Sequence, residues 1–436
     1  MNNENIFAEV NSLSGYIEEM ERIKNPPEED IPRERWKLSE KEYQEVYRAG
    51  ALERIIRAKY NFIYRGERRD YPKRVAGAFR MESNNSHYPD FRKAVDDFYR
   101  QVGYRLSDTE KDNFVAFAQH HGLPTNLLDV TSSPLTALFM ACYDEYSTLK
   151  CEHEHKEYCR LNKLQNSAYV YIFEDYIDVT DILNKYPNDT VVDLLIRKDE
   201  FVIKELYKLL LGYARRFSST NKLSAYYKQL LQNIYNRYKL EETSNSNDPI
   251  NMVAKCAMGI LTGDNSEDFH NIARRAKDVL DVYGNNDSEA FAALREAISK
   301  IKGFEDLPHF ESVRTGYFST DDWEFAFEYI ITLIFYLRCA ADIKDSNEFM
   351  PYMIYKPKIA FERARLQQGF FIIQPFRADN RNNEILLLQE ITHSKVIKIN
   401  NPNLILQQLD YIGVNLGTMY GDFDNIAKHI KNKYNF

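Results

Sequence analysis

An α+β fold is the class this sequence predicts: a small mixed or antiparallel sheet with flanking helices, interrupted by a large all-α insertion. Three observations lead there. The aromatic residues Tyr60, Phe62 and Tyr64 alternate with Asn61, Ile63 and Arg65, which is the period of a strand. Two short apolar runs, YVYIF at Tyr169 to Phe173 and FFII at Phe370 to Ile373, have the length and composition of buried strands. From about Val179 to Asp345, by contrast, apolar residues recur at helical spacing, as in Ile203, Leu206, Leu209 and Leu210.

The chain divides accordingly into an N-terminal helical region (1–54), a first part of the α+β domain (55–180), a helical insertion (181–349) and a second part of that domain (350–436). Each half supplies too few strands for a stable sheet of its own, so the two halves are expected to share one. The first 25 residues read as an amphipathic helix ending at Pro26-Pro27, and Ser39 with Glu42 makes a capping box for a helix to about Ala58. The strand at Tyr60 to Tyr64 ends on Arg65-Gly66, where the glycine is expected to let the backbone turn and expose the arginine. Ala118 to Tyr143 reads as two helices meeting across a polar, turn-rich bend. Gly122 closes the first in a left-handed conformation, and Ser133 caps the second with Pro134 at its first position. The insertion's last helix starts at Asp321 and carries the apolar stripe Tyr329 to Leu337. A short helix at Ile359 to Gln368 is closed by Gly369, and Glu384 to Leu388 and Lys395 to Ile399 form further strands, read as a hairpin through His393-Ser394.

Composition narrows the function. The net charge of −8 over 436 residues argues against a generic polyanion-binding surface, so nucleic acid is not the expected partner. The N-terminus has no basic segment followed by an apolar core, and Tyr329 to Leu337 is far shorter than the ~20 residues that span a bilayer; a cytoplasmic protein without a membrane partner is expected. Five cysteines at irregular spacing suit reduced thiols. No Walker loop, dinucleotide glycine fingerprint, nucleophile elbow or His-Glu-x-x-His motif occurs, which lowers ATP hydrolysis, Rossmann redox chemistry and serine hydrolysis.

Chemistry concentrates in a few places. Arg65 at a strand end is either one half of a structural ion pair or an anion ligand, since a guanidinium fork matches phosphate oxygens. His120 and His121 point about 100° apart on a helix, so one of them faces a cleft and the other lies elsewhere. His121 shares the apolar face of its helix and is expected to be the inward ring. It is either a core histidine hydrogen-bonded to Asp129 or a backbone carbonyl or, held neutral by Asp129, a base or hydrogen-bond partner. Asp129 equally suits a turn-capping role. Cys151, His153, His155 and Cys159 offer metal-ligand atoms, but at a spacing that suits a solvated connector better. Glu390 is a further acid near the C-terminal strands.

The run QHHGLPTNLLDVTSSPLTALFMA, with Tyr64-Arg65-Gly66, Phe79-Arg80, the segment Arg363 to Phe371 and the tail from Ile412-Gly413 to Asp422-Phe423-Asp424, resembles the signature of the FRG domain family. The resemblance covers about 55 to 180 and 350 to 436. Asn126 and Val130 depart from it, standing where the family usually has an arginine and an aromatic. A strand-terminal Tyr-Arg-Gly is also similar to the way ADP-ribosyltransferases present the arginine that grips NAD. The two resemblances imply a site in which His120, His121 and Asp129 supply the chemistry, and Tyr64, Arg65, Gly66, Thr125, Arg365 and Gln368 hold a small phosphate-bearing ligand, NAD. Two classes stay open: an NAD-handling, ADP-ribosyltransferase-like intracellular effector of toxin or antiviral-defence type, and a non-catalytic sensor whose helical insertion contacts a protein partner.

Overall fold

A computed structural model of the chain describes residues 6–24, 62–80 (without 72–73), 91–143, 167–217 (without 175 and 188), isolated positions within 226–233 and 326–337, and 348–434 (without 359–361, 380–383 and 394). The expected helix at Ser39 to Ala58 and the Cys151 to Cys159 nonapeptide lie outside the described residues.

The α+β expectation holds: among the described residues a mixed sheet has eight strands in the order β1-β10-β4-β2-β3-β7-β6-β5. Its members are β1 (Ile6–Val10), β2 (Ile63–Glu67), β3 (Leu127–Thr131), β4 (Ala168–Phe173), β5 (Tyr176–Asp178), β6 (Tyr352–Tyr355), β7 (Gly369–Ile373) and β10 (Lys395–Ile399). The remaining pair, β8 (Phe376–Asp379) and β9 (Glu384–Leu388), forms a separate two-stranded sheet. β2 and β7 thus belong to one sheet, although about 300 residues separate them in sequence.

Four local expectations are corrected. The bend between the two central helices contains β3, a strand in the middle of the sheet, flanked by α2 (Phe114–His120) and α3 (Pro134–Cys142). LLDVT escapes pattern reading because Leu127, Leu128 and Val130 are buried on both faces, and only Asp129 is exposed. The N-terminus begins with β1 before α1 (Leu13–Lys24), and β1 is held by parallel pairing to β10. β9 and β10 are not a hairpin: β9 pairs with β8, whereas β10 lies between β1 and β4. Gly66 is not a turn. It lies within β2, and a Cβ there would stand 1.9 Å from the Ala137 carbonyl oxygen and 2.5 Å from the Ala141 nitrogen of α3. Its lack of a side chain lets helix and strand backbones touch.

Other expectations match. Gly122 takes φ +92 at the end of α2, and its N–H and that of Leu123 bond the carbonyls of Gln119 and Ala118. Ser133 accepts from Thr136 N at 3.2 Å with Pro134 opening α3.

Helices α1, α3 and Pro402–Tyr411 bury Tyr16, Leu138 and Leu409 with Tyr64, Val170 and Ile397 on one face of the sheet. On the other half of the sheet, Leu127, Met353, Phe371 and Ile373 share a cluster with Leu206 and Leu210 of the helix Glu200–Phe217 and with Ile330 and Ile334. The helical segment therefore contributes directly to the core over the sheet. Ile63, Leu128, Tyr171 and Ile372 make the opposite face.

Candidate functional site

β2 and β3 are neighbours in the sheet but pair at a single point, Tyr64 with Thr131. On their other edges β2 pairs with β4 and β3 with β7, each through five residue pairs. The two strands fork. In the fork the guanidinium of Arg65 takes over the part of a ladder bond, Nη1 donating to the Asp129 carbonyl at 2.7 Å while Nε donates to Glu67 Oε1 at 2.6 Å.

A cleft of about 320 Å³ opens here, at the small end of the range for ligand pockets. Tyr64, Arg65 and Gly66 of β2 and Asp129, Val130 and Thr131 of β3 line it together with Gln119 and His120 from the end of α2. α3 adds Thr136, Ala137 and Met140, and Gly369, Phe370 and Phe371 come from β7. The outer wall is Arg363 and Ala364 of the short helix Glu362–Leu366, Gln367, and Tyr420 of the helix Leu416–Tyr420. Arg363 lies over the Tyr420 ring, 5.5 Å from its centroid. Among these lining residues Asp129 is the one carboxylate. Burial, then the nearby Arg363 guanidinium, hold the His120 imidazole below the ordinary histidine range.

The structure brings Tyr64, Arg65, Gly66, His120 and Asp129 to one cleft and places four other expected residues off it. His121, expected inward, is instead exposed at the helix end, its ring 4.4 Å from that of Phe117 and 6.4 Å from that of Phe98, and His120 is the ring that lines the cleft. Thr125 is buried as a turn fastener: its hydroxyl bonds Gln119 and accepts from Leu127 N. Arg365 and Gln368 are exposed, and neither lines the cleft.

The reason lies in the turn after Leu366. Gln368, rather than Gly369, adopts the left-handed conformation (φ 47), and its side chain goes to Ser132. This turns Gln367 inward, where Nε2 donates to the Met419 carbonyl at 3.0 Å and its own carbonyl accepts from the Thr131 hydroxyl at 2.7 Å. Sequence reading missed Gln367, Arg363 and Tyr420; the shared Arg363-to-Phe371 motif marked the right segment but not which of its side chains face inward. Glu390 is outside the cleft lining, Gln389 next to it being tied to Met350.

No group of metal-ligating side chains occurs among the described residues, and no helix among them is long and apolar enough to cross a membrane. Residues 60–149 match the family model of the FRG domain, which spans β2, α2, β3 and α3 and hence both arms of the fork. This chain carries an FRG domain. No curated protein and no solved structure matches it.

Proposed function

We propose that the fork cleft binds a small phosphate-bearing ligand of the NAD type and that the protein acts on it in the manner of an ADP-ribosyltransferase or NAD glycohydrolase. The observation that carries this reading is the pairing of two guanidinium groups, Arg65 and Arg363, with a single carboxylate in one cleft of a chain whose net charge is −8. Glu67 offsets the charge of Arg65, so an anion would be met by Arg363 and by the guanidinium N–H groups of Arg65 that Glu67 and the Asp129 carbonyl leave open. Phe370, Phe371, Met140 and the Tyr420 ring supply apolar and aromatic surface for a base. At about 320 Å³ the cleft takes part of a dinucleotide, the remainder lying over its rim.

In this reading the arginines hold the phosphates, and neutral His120 and Gln119 hydrogen-bond the ribose or the amide. Asp129 is the carboxylate that offsets positive charge at the ribose carbon as its bond to nicotinamide breaks. The FRG resemblance extends the proposal to an intracellular toxin or antiviral-defence effector. Incubation with NAD tests the chemistry: nicotinamide release that Asp129→Asn abolishes without loss of NAD binding supports it.

A second reading is favoured by the brace on Arg65, two of whose three nitrogens are already bound. In that case the cleft senses a nucleotide without transforming it, and the helical segment contacts a protein partner. NAD or ADP-ribose would then raise Tm with no nicotinamide formed. Absence of both release and a Tm shift sinks the two readings together.

A further inference from the structure

Arg65 owes its orientation to a residue outside the cleft. Alternation along β2 puts Arg65 and Glu67 on the same face of the sheet, opposite Tyr171 and Tyr169 of β4. Glu67 is 8 % exposed, and its Oε1 takes the Arg65 Nε proton at 2.6 Å. The Asp129 carbonyl takes Nη1 from the other arm of the fork. With Nε and Nη1 fixed on opposite sides, the plane of the guanidinium is set, and Nη2 is the nitrogen left without a partner among the described residues.

The other oxygen of Glu67 sharpens the question of why a carboxylate is there. Oε2 is buried and has no hydrogen-bond partner. A buried carboxylate with half of its acceptor capacity unmet is a poor device for stability, because desolvation offsets much of the ion-pair attraction. An uncharged residue would fill that position at lower cost. What the side chain adds over an apolar one is a directional acceptor, at one particular reach, for one nitrogen of Arg65.

We propose that Glu67 is the positioning residue of the site: its bond to Arg65 Nε, together with the Asp129 carbonyl, clamps the guanidinium across the fork so that Nη2 is presented to a phosphate group. This rests on the reading of the cleft as a phosphate site. The clamp also predicts a trade. Glu67 lowers the net positive potential at the cleft, so it weakens anion attraction at long range while it improves the geometry of contact. If geometry dominates, a neutral side chain of the same reach preserves binding, and a charged side chain one methylene shorter does not.

Calorimetric titration of inorganic pyrophosphate into the full-length wild type, Glu67→Gln and Glu67→Asp, with thermal melting in parallel, separates the possibilities. Glu67→Gln keeps an acceptor within reach of Nε and should bind within about twofold of wild type, whereas Glu67→Asp should bind about tenfold more weakly, the equivalent of one charge-assisted contact. Equal affinity for Glu67→Asp and wild type overturns the clamp. So does a large gain in affinity for Glu67→Gln, which would mean that only the charge of Glu67 matters; this arm decides the matter even if Glu67→Asp fails to fold. Failure of the wild type itself to bind pyrophosphate brings down the phosphate reading and the clamp with it.

Discussion

The two flanks of β3 are made differently. On one side β3 and β7 share five residue pairs and bury Leu128 against Ile372; on the other, β3 and β2 meet once and part. The continuous flank is ordinary ladder stabilisation, in which backbone groups satisfy one another. At the forked flank a charged side chain replaces backbone donors, and the gap becomes a cleft lined by residues from both arms. A fold can therefore create a site in the centre of a sheet by interrupting one ladder, provided that a side chain such as the Arg65 guanidinium meets a backbone group that the interruption releases.

The contrast is open to mutation. Gly66→Ala should have the largest effect, because the added Cβ meets the backbone of α3 at 1.9 Å rather than a side chain that can move. A loss of about 3 kcal/mol or more is expected, the upper part of the range for overpacking, read as a lower urea midpoint. Thr131→Val comes next. It removes a hydroxyl that donates to the Gln367 carbonyl at 2.7 Å and accepts from Ser133 N at 3.0 Å, at a cost of about 2 kcal/mol in chemical denaturation. Since this bond ties the outer wall to β3, ADP-ribose binding should weaken in the same variant. Ser133→Ala, which removes only the cap of α3, should cost about 1 kcal/mol and leave binding unchanged.

How much of this was readable beforehand follows from the range of the interactions. The ends of α2 and α3 were legible because Gly122, Ser133 and Pro134 act within one turn of themselves. Arg65 was legible as a strand residue because aromatics alternate around it, but helical spacing put His121 inward, whereas His121 is exposed at the helix end and His120 lines the cleft. β3 was not, since a strand buried on both faces loses the alternation that announces it. The fork was not either: it depends on where pairing stops between strands about sixty residues apart. The choice of Gln367 over Gln368 turns on a left-handed Gln368 bonded to Ser132 and on bonds from Gln367 to Thr131 and Met419, all of them partners distant in sequence.

The smallest effect at neutral pH belongs to the continuous side of β2. His393 packs beside Tyr171, and burial, then the charge of Arg74, depresses its pKa to about 4. The folded state thus binds the proton less readily than the unfolded chain, whose histidines titrate near 6.5. Stability from this source is complete above pH 6.5 and is lost as pH falls towards 4. Melting curves across that window should show the decline, and His393→Gln should flatten it; an unchanged slope would remove His393 from the account.

The central claim is that Arg65 holds the fork for a ligand, not only for the fold. Titrating ADP-ribose into the wild type and Arg65→Lys by calorimetry tests it most directly. An ammonium reaches one partner but cannot span Glu67, the Asp129 carbonyl and a phosphate in one plane. The account predicts binding to the wild type and at least a tenfold loss in Arg65→Lys, about 1.4 kcal/mol. Equal affinity in the two proteins, with a lower melting temperature for Arg65→Lys, would show the arginine to be a brace for the sheet and nothing more.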